Sequence, residues 1–328
     1  MTPLHGHESA VTAFRTALDS GRLHHAWLIA GRKGIGKALF ADKTALRVLA
    51  EGAGSVAASG IDVPDDHPTA KLVAAGSHPD LMRLERLTRE NGIDLARSIT
   101  VDQVRGLQRL FTTTSSLSPW RAVVIDAIDD LETAGANALL KNLEEPPPNT
   151  VFLLVSHAPE RLLPTIRSRC RVLRLSPLKS DAMASALRAA IPDADEEEIL
   201  ALTAAGEGAP GRAVAWRGLD IDALDRDLEA LVRDGDPANA RRAALAQALA
   251  PKSAQARYEV FLERAPQLIA ATARNRTGPA LADALAAWER ARNLAMAARR
   301  LSLDPASTVF ELAGLVAALA PGSDRRAA

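Results

Sequence analysis

AWLIAGRKGIGK, residues 26–37, begins with five apolar residues, turns through three glycines and ends on the lysine that starts a helical pattern running to about Leu49. A short apolar run, a glycine-rich loop and a helix in that order read as strand, loop, helix. Gly31, Gly36 and Lys37 fit the first seven positions of the phosphate-loop pattern GxxxxGK[ST], with Gly34 inside the loop. Glycines let such a loop curl until its N–H groups converge on an anion. The helix N-terminus adds positive potential, and the lysine reaches the outer phosphates. The eighth position departs from the pattern, because Ala38 stands where a Ser or Thr hydroxyl would hold magnesium. A turn kept for packing alone is the competing account of these residues.

Working outward, Leu81–Leu84 reads as a short strand, and Val101–Phe111 puts Val101, Val104, Leu107, Leu110 and Phe111 on one helical face. Ala122–Asp126 is an apolar run ending in an acid, the form of a parallel strand buried on both faces. A helix over Glu132–Glu145 stops at Pro146–Pro148, and Val151–Ser156 and Arg171–Leu175 are further strands. Residues 51–78 read mostly as loop with room for one short helix. Beyond Pro177 strand signals cease, and helices are separated by Gly and Pro breaks. The expected architecture is therefore an α/β core, a parallel sheet flanked by helices, over 1–177. A small helical lid follows over 178–218 and an all-α domain over 219–328. The last seven residues, GSDRRAA, read as a frayed tail.

Asp126 closes its strand where a Walker B aspartate would organise magnesium, but its neighbour is Ala127, where active ATPases of this kind carry a glutamate base. Asp129 and Asp130 sit too far past the strand end to replace it and read as charge or capping at a helix start. Losses at Ala38 and Ala127 both point to an ATPase fold without ATPase activity.

Composition narrows the classes further. The chain is 47% hydrophobic and only 3% aromatic, as in packed helical proteins, and its 40 Lys and Arg balance 40 Asp and Glu. No global positive field draws it onto nucleic acid, so Thr112–Ser118 and scattered arginines offer at most a local DNA contact. The single cysteine, Cys170, excludes an internal disulfide and a multi-cysteine zinc site. His67 and His78 with Asp62, Asp65, Asp66 and Asp80 are too irregularly spaced for a metal site, so no metal is expected. The start, MTPLHGHESA, lacks a signal pattern and no apolar run reaches membrane-spanning length, so a cytoplasmic chain without membrane contact is expected.

The stretch from Asn137 to Leu175, NALLKNLEEPPPNTVFLLVSHAPERLLPTIRSRCRVLRL, resembles the clamp-loader branch of the AAA+ ATPases. HHAWLIAGRKGIGK, the HPDL at His78–Leu81 and GAPGRAV at Gly208–Val214 extend the resemblance over most of the first two domains. It implies an AAA+ core, a helical lid and a C-terminal collar domain joining motor subunits and a delta subunit in a heteropentamer. That assembly, part of the DNA polymerase III machinery, loads a sliding clamp onto primer-template DNA. The resemblance assigns Arg169, within Ser168-Arg169-Cys170, as an arginine finger toward ATP on the adjacent motor subunit. A permanently charged guanidinium suits that task. It also assigns Arg212 to a second sensor and Ser156 to a first sensor. With Gly31, Gly34, Gly36, Lys37 and Asp126 these form a degenerate nucleotide site where ATP binding is open and no cofactor is required. Many relatives carry a four-cysteine zinc module after the phosphate-loop helix, and this chain has no cysteine there.

Three functions compete at this stage: a non-hydrolysing stator, an active motor tolerating Ala38 and Ala127, and a stand-alone adaptor with a vestigial loop. The helical stripes Leu224, Leu228, Leu231 and Leu281, Leu285, Trp288 suit either an internal core or an interface.

Overall fold

A computed structural model describes residues 2–88, 95–112 and 114–321. The chain divides into two compact units, Met1–Ala215 and Trp216–Ala328. The first takes in the expected core and nearly all of the expected lid segment. The GSDRRAA tail and Thr113, part of the proposed DNA-contacting loop, lie outside the described residues.

Five parallel strands build the first unit: β1 (Ala26–Ala30), β2 (Leu81–Glu85), β3 (Arg121–Asp126), β4 (Thr150–Ser156) and β5 (Arg171–Arg174), in the order β2-β3-β4-β1-β5. Strand residues alternate between two faces, and here both faces are covered, which is why β1, β3 and β4 read as unbroken apolar runs. Trp27, Ile29, Val124, Leu153 and Val155 pack on one side with Phe14 of α1 (Glu8–Asp19) and Phe40, Val48 and Leu49 of α2 (Lys37–Ala53). Leu28, Val123, Ile125, Phe152 and Leu154 pack on the other with α4 (Val101–Arg105), α5 (Leu107–Thr112) and α6 (Thr133–Glu144). The expected α/β P-loop core is thus the one that forms. One helix was expected over 101–111, and two occur, divided at Gly106. The short helix allowed within 51–78 is α3 (Pro68–Ala74).

Three of the residues grouped above as a conceivable metal set, His67, Asp62 and Asp80, make other contacts. His67 caps α3 by accepting from Thr69 N at 3.2 Å. Asp62 takes a 2.7 Å hydrogen bond from Lys43, whose neighbour one turn on, Arg47, donates to the carbonyls of Ala58 and Asp62 at 2.8 and 2.6 Å. Asp80 accepts from the backbone N–H groups of Ser116, Leu117 and Ser118, tying that loop to the start of β2.

The short helix α7 (Pro164–Arg167) precedes β5, and α8 (Ser180–Ala190), α9 (Glu196–Gly206) and α10 (Pro210–Trp216) follow it, α10 ending at the unit boundary. Met183, Leu187, Ile199, Leu202 and Ala213 form their small core.

The second unit is helical: α11 (Ile221–Asp234), α12 (Ala240–Leu249), α13 (Gln255–Ala273), α14 (Gly278–Leu301) and α15 (Pro305–Ala317). Leu224, Leu228 and Leu231 are buried, so the first apolar stripe is internal core. The second is not, because α14 buries a different face made of Ala284, Ala287, Ala291, Ala295 and Ala298. Leu285 is left 49% exposed and Met296 40% exposed on its outer side. Small residues three and four apart allow helices to approach closely, which explains the choice of face. No helix among the described residues is long and apolar enough to cross a membrane.

Candidate nucleotide site and the Arg169 corner

Parallel strands deliver their carboxyl ends to one edge of the sheet, where loops can hold a ligand. Register aligns Ala30 with Ser156, and Val155 with Asp126, so the phosphate loop, Ser156 and Asp126 emerge side by side. Gly34 and Gly36 have φ of 83° and 98°, left-handed conformations that favour glycine. Gly34 has a second reason: a Cβ there would lie 2.6 Å from the backbone N of Arg212. Gly211 N donates to the Gly34 carbonyl at 2.8 Å, joining the start of α10 to the loop. On the other side, His7 Nε2 donates to the Ile35 carbonyl at 2.7 Å.

Above the loop is a cavity of about 510 Å³ whose walls include Leu4, Leu178, Ala186 and Val214, with Lys37 and Asp126 at its base. Lys37, 3% exposed, donates to the carbonyls of Gly31 and Arg32 at 2.8 and 2.7 Å. Burial pushes its ammonium down to about 8, against the pull of Asp129 and Asp126. The loop thus folds around its own cation.

Asp126 accepts a 2.8 Å hydrogen bond from Arg83 of β2. The same guanidinium also pairs with Asp42 of α2 and, at 2.9 Å, with Glu85. Burial works against the Arg83 charge, yet Asp42, Glu85 and Asp126 raise its pKa above the ordinary value. Asp42 is itself pushed up by burial, with Arg83 opposing the shift. Magnesium, which active phosphate-loop enzymes hold through a loop hydroxyl and this aspartate, does not fit the residues present. Ala38 offers no oxygen, and Asp126 already faces a cation. Neither Arg83 nor Asp42 was singled out from the sequence. An arginine on a short strand carries no motif, and only the register of β2 against β3, pairing Arg83 with Val124, brings it to Asp126.

Ser156 is fully buried, and its hydroxyl donates to Asp129 at 3.0 Å. Asp129 also accepts from His157 N and Ala158 N at 2.7 and 3.2 Å. It therefore ties down the turn after β4 and does not cap α6, whose N-cap residue is Glu132. Asp130 pairs with Arg86 at 3.2 Å. Arg212 turns away from the loop that its own backbone touches, donating to the Gly206 carbonyl and to Glu207, both at 3.0 Å.

Arg169 lies apart from this group, in the turn between α7 and β5. Its side chain is 34% exposed, pairs with Glu144 at the end of α6 at 2.8 Å and donates to the Thr165 carbonyl at 2.9 Å. Glu144, left without a role in the sequence reading, is thus its anchor. Cys170 packs against the sheet core, and burial pushes its thiol up to about 12, so it is no nucleophile.

Residues 6–179 match the family model described as "DNA polymerase III, delta subunit". The DNA polymerase III subunit delta′ of Pseudomonas aeruginosa is 37% identical over 212 residues, 64% of this chain and 60% of the relative. That of Bacillus subtilis is 33% identical over 170 residues, 51% of this chain and 46% of the relative. The chain spans about half the length of the curated relatives it matches. A solved DNA polymerase III gamma subunit-related protein from Thermotoga maritima aligns over 94% of this chain and 98% of that one, with 14% identity and a TM-score of 0.42. With more than half of its length matched by the family model, the chain belongs to the DNA polymerase III delta subunit family.

Proposed function

We propose that the chain is a non-hydrolysing stator of the DNA polymerase III clamp loader that lends Arg169 to the ATP site of an adjacent motor subunit. The observation carrying this reading is the contrast between its own site and the Arg169 corner. Its own site lacks the magnesium hydroxyl at Ala38 and the general base at Ala127, and its strand-end acid is paired with Arg83. Arg169 meanwhile stands at the surface on two local contacts that a partner's phosphate can outcompete. Its partners in this reading are the motor subunits and a delta subunit of a cytoplasmic heteropentamer, with the sliding clamp and primer-template DNA reached through that assembly. Neutral net charge supports indirect engagement of DNA.

The test is clamp- and DNA-stimulated ATP hydrolysis by a reconstituted complex, comparing this chain with Arg169→Ala after equal assembly is verified. Loss of a finger costs on the order of 10³-fold at the site it serves, so total turnover should fall by that site's share. Unchanged turnover would reduce Arg169 to a structural residue.

A further inference from the structure

The turn that carries Arg169 does not by itself fix where the guanidinium lies, because a long, flexible side chain separates the two. A second element does so. We propose that Glu144 is the positioning residue of Arg169: it holds the guanidinium in one orientation in the free subunit, so that a neighbour's phosphate meets a cation already set in place. Glu144 takes this role only if Arg169 is the finger proposed above, so the inference rests on that reading.

Both ends of the contact hang on one core. Leu143, the residue before Glu144, and Ile166, in the helix before Arg169, are buried in the same cluster on the α6 side of the sheet, and Cys170 packs against it. Arg169 N donates to the Ile166 carbonyl at 3.1 Å and Cys170 N to the Arg167 carbonyl at 3.3 Å, which closes the turn on α7. α6 ends at Glu144, and Pro146–Pro148 keep it from running on. Between these supports, Nη2 of Arg169 meets Glu144 at 2.8 Å and Nη1 donates to the Thr165 carbonyl at 2.9 Å. Two contacts on different nitrogens, one from α6 and one from α7, fix the plane of a rigid guanidinium, where a single contact would let it swing. Neither uses the Nε–H, which has no partner among the described residues. The guanidinium is held without being saturated.

Stability alone does not account for Glu144. In the last turn of α6 its charge faces the negative end of the helix dipole, where a cation would be favoured. Its pair with Arg169 is partly exposed, of a kind that adds little to folding. Orientation is where the contact has its effect, since a finger that must find its place at each encounter loses part of the advantage of a preset charge.

ATP hydrolysis by the reconstituted complex with clamp and primed DNA tests this, once equal assembly of every variant is verified. The turnover removed by Arg169→Ala defines the share of the site that this chain completes. Glu144→Ala should remove about nine-tenths of that share, a loss of about tenfold at one site. Glu144→Gln, which keeps an uncharged acceptor at the same reach, should remove about two-thirds of it, a loss of about threefold. KM for ATP should stay unchanged in both, because a finger acts on the transition state. Glu144→Ala should cause no further loss in a chain already carrying Arg169→Ala. A Glu144 that serves only the fold would lower turnover equally with and without Arg169, and that additive result overturns the proposal. So does full turnover by both Glu144 variants where Arg169→Ala is slow. If Arg169→Ala itself leaves turnover unchanged, the arginine-finger reading falls and this one falls with it. Glu144→Gln, close in shape to the native residue, decides the matter even if Glu144→Ala fails to assemble.

Discussion

The phosphate loop and the Arg169 corner lie in one compact unit and treat charge in opposite ways. At the loop, Lys37 is buried against its own backbone carbonyls, Arg83 is divided among three carboxylates, and Arg212 turns to Glu207. At the corner, Arg169 is held by one half-exposed carboxylate and one carbonyl. A cation embedded among internal partners contributes to the fold and is costly to disturb. A cation held by a single carboxylate and a single carbonyl, as Arg169 is, contributes less to the fold and remains available to something else.

This contrast makes stability predictions that differ sharply between the two regions. The largest effect should come from Gly34→Ala, which forces a Cβ to within 2.6 Å of the Arg212 backbone at a φ of 83°. A loss of about 2–4 kcal/mol is expected in chemical denaturation, since left-handed strain and overpacking add. A loss below about 1 kcal/mol would show that the loop and the start of α10 part easily, and the contrast would weaken.

Lys37 gives the intermediate effect, read through pH. Its folded pKa, about 8, lies below the ordinary 10.5, so between those values the unfolded chain binds more protons than the folded one. Stability attributable to Lys37 should therefore rise as pH climbs from about 8 to 10.5, and Lys37→Met should flatten that part of the profile. Identical profiles for the two proteins would mean that the lysine is not confined as its burial implies. The smallest effect belongs to Arg169→Ala, where loss of a partly exposed ion pair should change stability by no more than about 1 kcal/mol. A larger loss would make the corner structural and erase the distinction from the loop.

Much of this was legible from local pattern. The phosphate loop, the doubly buried strands and the helical second half follow from glycine spacing, apolar runs and Gly or Pro breaks, all properties of neighbouring residues. α1 escaped notice although Ala10, Phe14 and Ala17 share one buried face, because no side-chain cap marks its start. The division at Gly106 escaped for another reason: the apolar spacing of 101–111 continues across a break that glycine permits but does not require. Arg83 and Glu144 were invisible in a stronger sense. Their importance is set by which strand or helix lies alongside, and that is decided by residues far away in the chain. Asp129 shows the same limit, since an acid just before a helix reads as a cap until the turn after β4 is seen to close on it. The stripe on α14, left open between core and interface, is not the buried face, because alanine, weak in apolar scales, takes that face where backbones approach closely.

The strand order carries a consequence for how the molecule is born. β1 is made before both of its neighbours in the sheet, β4 and β5, which follow it by well over a hundred residues. Until then AWLIA has no strand partners, although α1 and α2 can already form against one of its faces. Such long-range pairing slows folding relative to a helical unit whose contacts are mostly local. The edges of those five residues thus stay open to wrong partners until synthesis passes residue 170.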